Sequence, residues 1–188
     1  PFLKKFPQIK DSKLLSASQR EKVFRLVVHE PNIKWKVSFV WPKVIDKINI
    51  WQATLLAWRR CLKKVIQSGE QPDFLFLDGQ WQMPCLKIRQ KAVVKGDQKI
   101  LLLSLASVIA KVSRDRLMEK LDRKFPQYGF VQHKGYGTKL HLERLKKFGP
   151  CEIHRKSFRP VFENLSFKEK VYYLVSQIPR GQVMTYQE

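Results

Sequence analysis

Acidic residues are scarce. The 188-residue chain has 16 Asp and Glu against 37 Lys and Arg, a formal net charge of +21. A solvated surface accounts for any one lysine but not for that imbalance. A polyanionic partner accounts for it better, with nucleic acid first and an acidic membrane surface second. Long apolar runs are also lacking. None reaches the roughly 18 residues that mark a membrane span. The longest, Ile100–Ala110, is interrupted by Ser104 and Ser107 and flanked by Lys99 and Lys111, so it reads as a buried helix. Cysteine is limited to Cys61, Cys85 and Cys151. An odd count at wide spacing does not support a disulfide framework. Free thiols in a reducing compartment, the cytoplasm, are the expectation. No internal repeat or low-complexity tract is present and no signal peptide is visible, in a chain that opens at Pro1-Phe2 without a methionine and so says little about a leader. Neither a nucleophile elbow for a Ser-His-Asp triad nor a phosphate-cradling Gly-rich loop is present.

What is present suffices for one sizeable core plus a fragment of something else. Ser16 stands three residues before Gln19, a capping-box spacing that predicts a helix over 17–29. Residues 34–41 alternate, with Trp35, Val37, Phe39 and Trp41 opposite Lys34, Lys36 and Ser38, and predict a half-buried strand. Ile48, Trp51, Leu55, Trp58, Leu62 and Val65 recur at helical spacing and form one apolar stripe. Strands are expected at 73–77 and 91–95, and a long helix over 100–123. Thr138 caps a further helix that stops at Gly149-Pro150, and Ser166 with Glu169 opens another. Alternating helices and strands predict an α/β domain with helices covering a mixed sheet.

Three segments carry candidate chemistry. Phe74-Leu75-Phe76-Leu77 ends in Asp78-Gly79, and Ala92-Val93-Val94-Lys95 runs into Gly96-Asp97. Two apolar segments that each deliver a carboxylate suggest a pair at one sheet edge. Hard divalent cations take oxygen ligands of this kind, and two ions together clamp both oxygens of a phosphodiester displacement. Two ordinary surface turns explain the same letters. In His133-Lys134-Gly135-Tyr136-Gly137-Thr138, glycines around a tyrosine let the backbone approach a ligand and leave the ring exposed. That ring could stack on a sugar or base while the ammonium meets phosphate, or it could pack on its own domain. His154-Arg155-Lys156-Ser157-Phe158-Arg159 fits a phosphate backbone, and a solvated basic turn nearly as well. Cys151 and His154 do not make a zinc site by spacing.

Taken in order, Asp11-Ser12-Lys13, the 49–57 segment, Leu77-Asp78-Gly79, Val94-Lys95-Gly96-Asp97, the 106–116 segment, His133–Thr138 and His154–Phe158 resemble ribonuclease HII over roughly residues 8–162. The resemblance implies a ribonuclease H-like mixed sheet flanked by helices. It also implies an endonuclease that hydrolyses the RNA strand of RNA–DNA hybrids and cuts 5′ of ribonucleotides embedded in duplex DNA. Asp78 and Asp97 would be two of its four carboxylate ligands for Mg²⁺ or Mn²⁺. Tyr136 would stack beside the ribonucleotide's sugar, and Lys13, Lys134 and Arg155 would contact phosphates. Asp115, between arginines, reads as an ion-pair partner rather than a ligand.

The family's opening Asp-Glu-Ala-Gly-Arg-Gly segment, which supplies the other two carboxylates and part of the ribose sensor, has no counterpart here. The expectation is therefore a domain over 1–162 that lacks its N-terminal strand or strands and is inactive by itself. Residues 167–188, with Ile178-Pro179-Arg180-Gly181-Gln182 and Thr185-Tyr186-Gln187-Glu188, resemble the opening of the DNA-binding domain of alkylguanine-DNA alkyltransferases. That implies a second, helical fragment over 163–188 in which Tyr186 contacts DNA. The partner expected is a hybrid or ribonucleotide-containing duplex, with neither a membrane nor an obligate protein partner. A basic nucleic-acid-binding module without catalysis is the alternative. A structural protein of a ribonucleoprotein particle would explain the charge but neither Asp-ended segment.

Overall fold

The computed structural model describes residues 14–183. Their elements run α1 (Ala17–Val28), α2 (Pro42–Gln67), β1 (Phe74–Asp78), β2 (Arg89–Val93), α3 (Gly96–Lys99), α4 (Leu101–Lys124), α5 (Phe130–His133), α6 (Lys139–Phe148), α7 (Arg159–Glu163) and α8 (Phe167–Val175). A 3-10 turn occupies Pro126–Tyr128. These residues divide into two compact units, one of 14–38 with 58–117 and the other of 39–57 with 118–183.

In the first unit, α1 starts as its letters demand. The Ser16 hydroxyl accepts the Gln19 N–H, and the Gln19 side chain accepts the Ser16 N–H at 2.8 Å. Such a reciprocal cap is worth about 1 kcal/mol. Phe24 and Val27 of α1 are buried with Leu105, Val108, Ile109 and Val112 of α4. The serines of α4's apolar half do not interrupt that core, since Ser104 is buried with it.

Strands β1 and β2 pair in parallel, with Phe74 opposite Arg89 and Asp78 opposite Val93. Leu77 enters the core, whereas Phe74 and Phe76 lie against each other at 4.9 Å on the exposed side. The connection between the strands is tied by Gln90. Its side chain accepts the Met83 N–H at 2.9 Å and donates to the Met83 carbonyl at 2.8 Å.

Three sequence expectations change. Residues 34–41 form no strand. With no neighbouring strand beside them among the described residues, the Lys36 and Val37 carbonyls take the Cys61 thiol and the Lys64 ammonium instead. Alternation reports a pleated surface, not the presence of a partner strand. The stripe expected from Ile48 onward lies in α2, which begins at Pro42 and breaks at Asn49 (φ 62°, ψ 170°). There the Asn49 side chain accepts the Gln52 N–H and caps the second stretch. Finally, β2 ends at Val93, and Lys95 adopts a left-handed conformation (φ 54°) that opens the one-turn α3. Asp97 therefore sits in a helical turn, not at a strand end. The sheet among the described residues is this parallel pair, not a mixed one.

In the second unit, Tyr128 and Phe130 are almost fully buried and stack at 5.3 Å beside Met118. Thr138 caps α6 by accepting the His141 N–H, and Gly149, with φ 68°, ends it in a conformation that favours glycine. The Ser166–Glu169 capping box opens α8.

Candidate active site

The turn at Lys95 is what brings the two acidic segments together. Asp78 ends β1 with its side chain exposed. The backbone N–H of Gly96 donates to its Oδ1 at 2.8 Å. The residue after that glycine is Asp97, buried to 2 % exposure in the first turn of α3. The carboxylate that ends β1 is thus held by the backbone amide of the residue just before the buried Asp97. A side chain at the junction would crowd its neighbours. A Cβ at Gly96 would lie 2.4 Å from Leu103 Cδ1 and 3.3 Å from Asp78 Oδ1.

The remaining predicted residues lie in the second unit or outside the description. Tyr136 is 57 % exposed. Lys134 also adopts a left-handed conformation (φ 50°), and its ammonium pairs with Glu119 at 2.7 Å. Arg155 lays its guanidinium over the Phe158 ring at 4.9 Å. The segment that follows is pinned by Asp46, whose carboxylate accepts the Lys156 N–H, the Ser157 N–H and the Ser157 hydroxyl. Asp115 pairs with Arg20 at 3.9 Å, in keeping with its ion-pair reading. Lys13 and Tyr186 lie outside the described residues.

Sequence reasoning missed a cluster of histidines beneath the tyrosine loop. His133, His141 and His154 are all buried. The rings of His133 and His141 stack at 4.3 Å, and the Nε2 atoms of His141 and His154 meet at 3.1 Å. Burial, then the neighbouring imidazoles, pushes His154 down to about 4; burial followed by His133 likewise lowers His141. Burial raises the Cys151 thiol as well, which keeps it protonated. The zinc idea fails on this geometry, because every ring nitrogen already has a hydrogen-bond partner. Only helix-capping letters hinted at the cluster: Thr138 orients the start of α6 and hence His141.

Comparison with known proteins identifies the family. The family model for ribonuclease HII matches residues 2–164. The chain belongs to the ribonuclease HII family. A ribonuclease HII of Caldicellulosiruptor bescii is 45% identical over 150 residues, 80% of this chain and 70% of that protein. One from Chlamydia muridarum is 44% identical over 168 residues, 88% of this chain and 74% of the other. Among solved structures, the ribonuclease H2 of Pyrococcus horikoshii OT3 superposes with a TM-score of 0.63 at 26% identity, covering 83% of this chain and 79% of that one. Ribonuclease HII is a divalent-metal-dependent endonuclease that hydrolyses the RNA strand of RNA–DNA hybrids. The donor set suits such a metal. Both candidate groups are carboxylates, the ligands that hard divalent cations select, and no thiolate or imidazole accompanies them. Among the described residues, no group of three or more His, Cys, Asp or Glu side chains gathers around them or elsewhere in a metal-holding cluster. No helix of the described residues is long and apolar enough to cross a membrane.

Proposed function

We propose that Asp78 and Asp97 are the residues through which this ribonuclease HII holds Mg²⁺ or Mn²⁺. The observation that supports the reading is the hydrogen bond from Gly96 to Asp78, which ties an exposed carboxylate to the amide that precedes the buried Asp97 in the chain. Divalent ions there supply positive charge at the scissile phosphate and lower the pKa of a bound water. The chain's own groups do the rest. The Gly96 amide fixes the Asp78 carboxylate, and burial of Asp97 restricts its orientation, so little reorganisation is left for the reaction. The resulting cut is 5′ of a ribonucleotide and leaves a 3′-hydroxyl and a 5′-phosphate.

Substrate recognition falls to Tyr136, stacked on the sugar beside the ribonucleotide, and to Lys13, Lys134 and Arg155 on phosphates. The excess of basic residues supplies salt-sensitive affinity. The four-carboxylate centre that the family resemblance implies takes two further ligands from outside the described residues. Support for this comes from the donor count, since Asp78 and Asp97 gather no third acidic neighbour among the described residues. Supply of the Asp-Glu-Ala-Gly-Arg-Gly strand would complete both centre and sheet. Residues 163–188 begin a second, alkyltransferase-like DNA-binding region in which Tyr186 meets DNA, and the protein works in the cytoplasm.

The test uses duplex DNA carrying one ribonucleotide, labelled at its 5′ end, incubated with and without Mg²⁺ or Mn²⁺ and with or without a peptide bearing the missing strand. Metal-dependent nicking 5′ of the ribonucleotide that needs the peptide supports both the centre and its split. Strong cleavage without the peptide removes the split, and cleavage that survives chelation removes the metal centre.

A further inference from the structure

The three buried histidines form a chain of hydrogen bonds whose direction is fixed by its ends. At one end, the backbone N–H of Cys151 points at His154 Nδ1 across 3.0 Å. A backbone N–H can only donate, so Nδ1 accepts and carries no proton. The Cys151 thiol, 3.1 Å from the same nitrogen, is compatible with that role. Neutral His154 then bears its proton on Nε2, which faces His141 Nε2 at 3.1 Å. His141 Nε2 must accept, so its proton lies on Nδ1. That nitrogen is 2.9 Å from the Tyr136 carbonyl, which can only accept. His133 is fixed separately. Its Nδ1 accepts the Gly135 N–H at 3.2 Å, so Nε2 donates to the Tyr128 carbonyl at 2.9 Å. All three rings are thereby neutral, each with a defined tautomer.

Both ends of the chain reach segments assigned above to nucleic acid. One end is the Tyr136 carbonyl, flanked by Gly135 and Gly137 and preceded by Lys134. The other is the Cys151–His154 turn, followed directly by Arg155. We propose that His141 and His154, with His133 stacked beside them, are positioning residues that couple the Tyr136 loop to the Arg155 loop through one neutral, one-directional relay that a single added proton breaks.

The reason lies in the donors. An imidazolium at His154 would turn Nδ1–H against the Cys151 N–H. An imidazolium at His141 would turn Nε2–H against the Nε2–H of His154. Either leaves two buried donors facing each other, with the His133 ring stacked 4.3 Å away. The titratable groups facing the relay are the three histidines, Cys151 and Tyr128, whose hydroxyl donates to the Gly149 carbonyl; Glu152 lies beside Cys151 and is paired with Lys124. Phe130, packed against all three imidazoles, brings no charge. Among the described residues, no carboxylate is placed against the rings to stabilise an imidazolium.

The relay rests on the substrate roles proposed for Tyr136 and Arg155 only for its consequence, so the test separates the two. Nitrogen-15 NMR of the labelled chain at neutral pH should show His141 as the Nδ1–H tautomer, and His133 and His154 as Nε2–H. An Nε2–H tautomer or an imidazolium at His141 overturns the relay whatever the protein binds. On acidification, the amide signals of Gly135, Gly137 and Arg155 should move with one midpoint shared by His141 and His154; separate midpoints overturn the coupling. In anisotropy measurements with a labelled RNA–DNA hybrid and no divalent metal, His141→Ala should weaken binding about fivefold, the worth of one buried hydrogen bond. His141→Asn, which keeps a donor toward the Tyr136 carbonyl, should recover most of that loss. Folded His141→Ala with unchanged affinity, beside a wild type that binds, overturns the positioning role. Should His141→Ala fail to fold, the Asn variant and the wild-type titration decide. A wild type that binds no hybrid removes the substrate roles of Tyr136 and Arg155, while the tautomers and shared midpoint still decide the relay.

Discussion

The backbone N–H of Gly96 donates to the carboxylate of Asp78 across 2.8 Å, joining the end of one strand to the turn that follows its neighbour. That bond ties two segments distant in the chain, at a position where an added side chain would crowd its neighbours. A Cβ at position 96 would overlap Leu103 Cδ1 and press on the very oxygen the amide holds. Gly96→Ala should therefore destabilise the protein by about 1–3 kcal/mol and lower cleavage further than the stability loss explains. Urea unfolding and cleavage rates measured on one preparation check this. Adding Leu103→Ala should recover stability but not activity, because the pressure on Asp78 remains.

Asp97 and Asp78 should part company from the surrounding basic residues in a substitution series. Asp97→Asn keeps the shape and the buried volume but removes the charge that a cation needs. Metal-dependent cleavage of a hybrid should fall on the order of a thousandfold, the several kcal/mol that metal charge contributes. Hybrid affinity in the absence of metal should change little, since the phosphate-binding cations are untouched. Retained turnover would take Asp97 out of the centre.

Asp46 offers a further check in the second unit. Its two oxygens take the Lys156 N–H, the Ser157 N–H and the Ser157 hydroxyl, at 2.9, 3.0 and 2.6 Å. Asp46→Ala leaves two backbone donors without their acceptor and releases the turn that follows Arg155. The expected cost is about 1–2 kcal/mol and a weaker hybrid complex, with a smaller effect from Asp46→Asn, which retains one acceptor oxygen. Equal behaviour of the two variants in unfolding and binding would mean the carboxylate holds nothing that matters.

Local letters carried most of the elements, and long-range partners carried what the letters missed. Ser16 with Gln19, Thr138, and Ser166 with Glu169 announced three helix starts because a cap needs only residues within one turn. Asp78 and Asp97 were visible as a pair because both follow apolar runs. Their junction was not, because it depends on Lys95 adopting a left-handed conformation, which no side-chain pattern signals. The 34–41 segment alternates like a strand yet pairs with none among the described residues, since pairing is decided by what lies beside a segment. The histidine relay was hidden for a similar reason. His141 and His154 are 13 residues apart in the chain and meet only because α6 ends at Gly149 and the chain doubles back through Cys151.

That relay also fixes the sign of the protein's pH response. His154 ionises near 4 in the folded chain against an ordinary value of 6.5, and His141 is shifted in the same direction. Between those values the unfolded chain binds protons that the folded chain refuses, so stability rises with pH across that window. It is fully present above about 6.5 and is lost as the pH falls toward 4. The lowered carboxylates Glu21, Glu152 and Glu169 act with the same sign, but only below their ordinary value of 4.5, and as exposed groups they act weakly. Loss of stability between pH 6.5 and 4.5 is therefore a histidine signature. The shift at His154 sets its ceiling at about 3 kcal/mol. Urea midpoints measured at pH 7, 5.5 and 4.5 should fall steadily. His154→Gln, which keeps the donor toward His141 but cannot titrate, should flatten the decline; an unchanged slope in that variant would assign the acid sensitivity elsewhere.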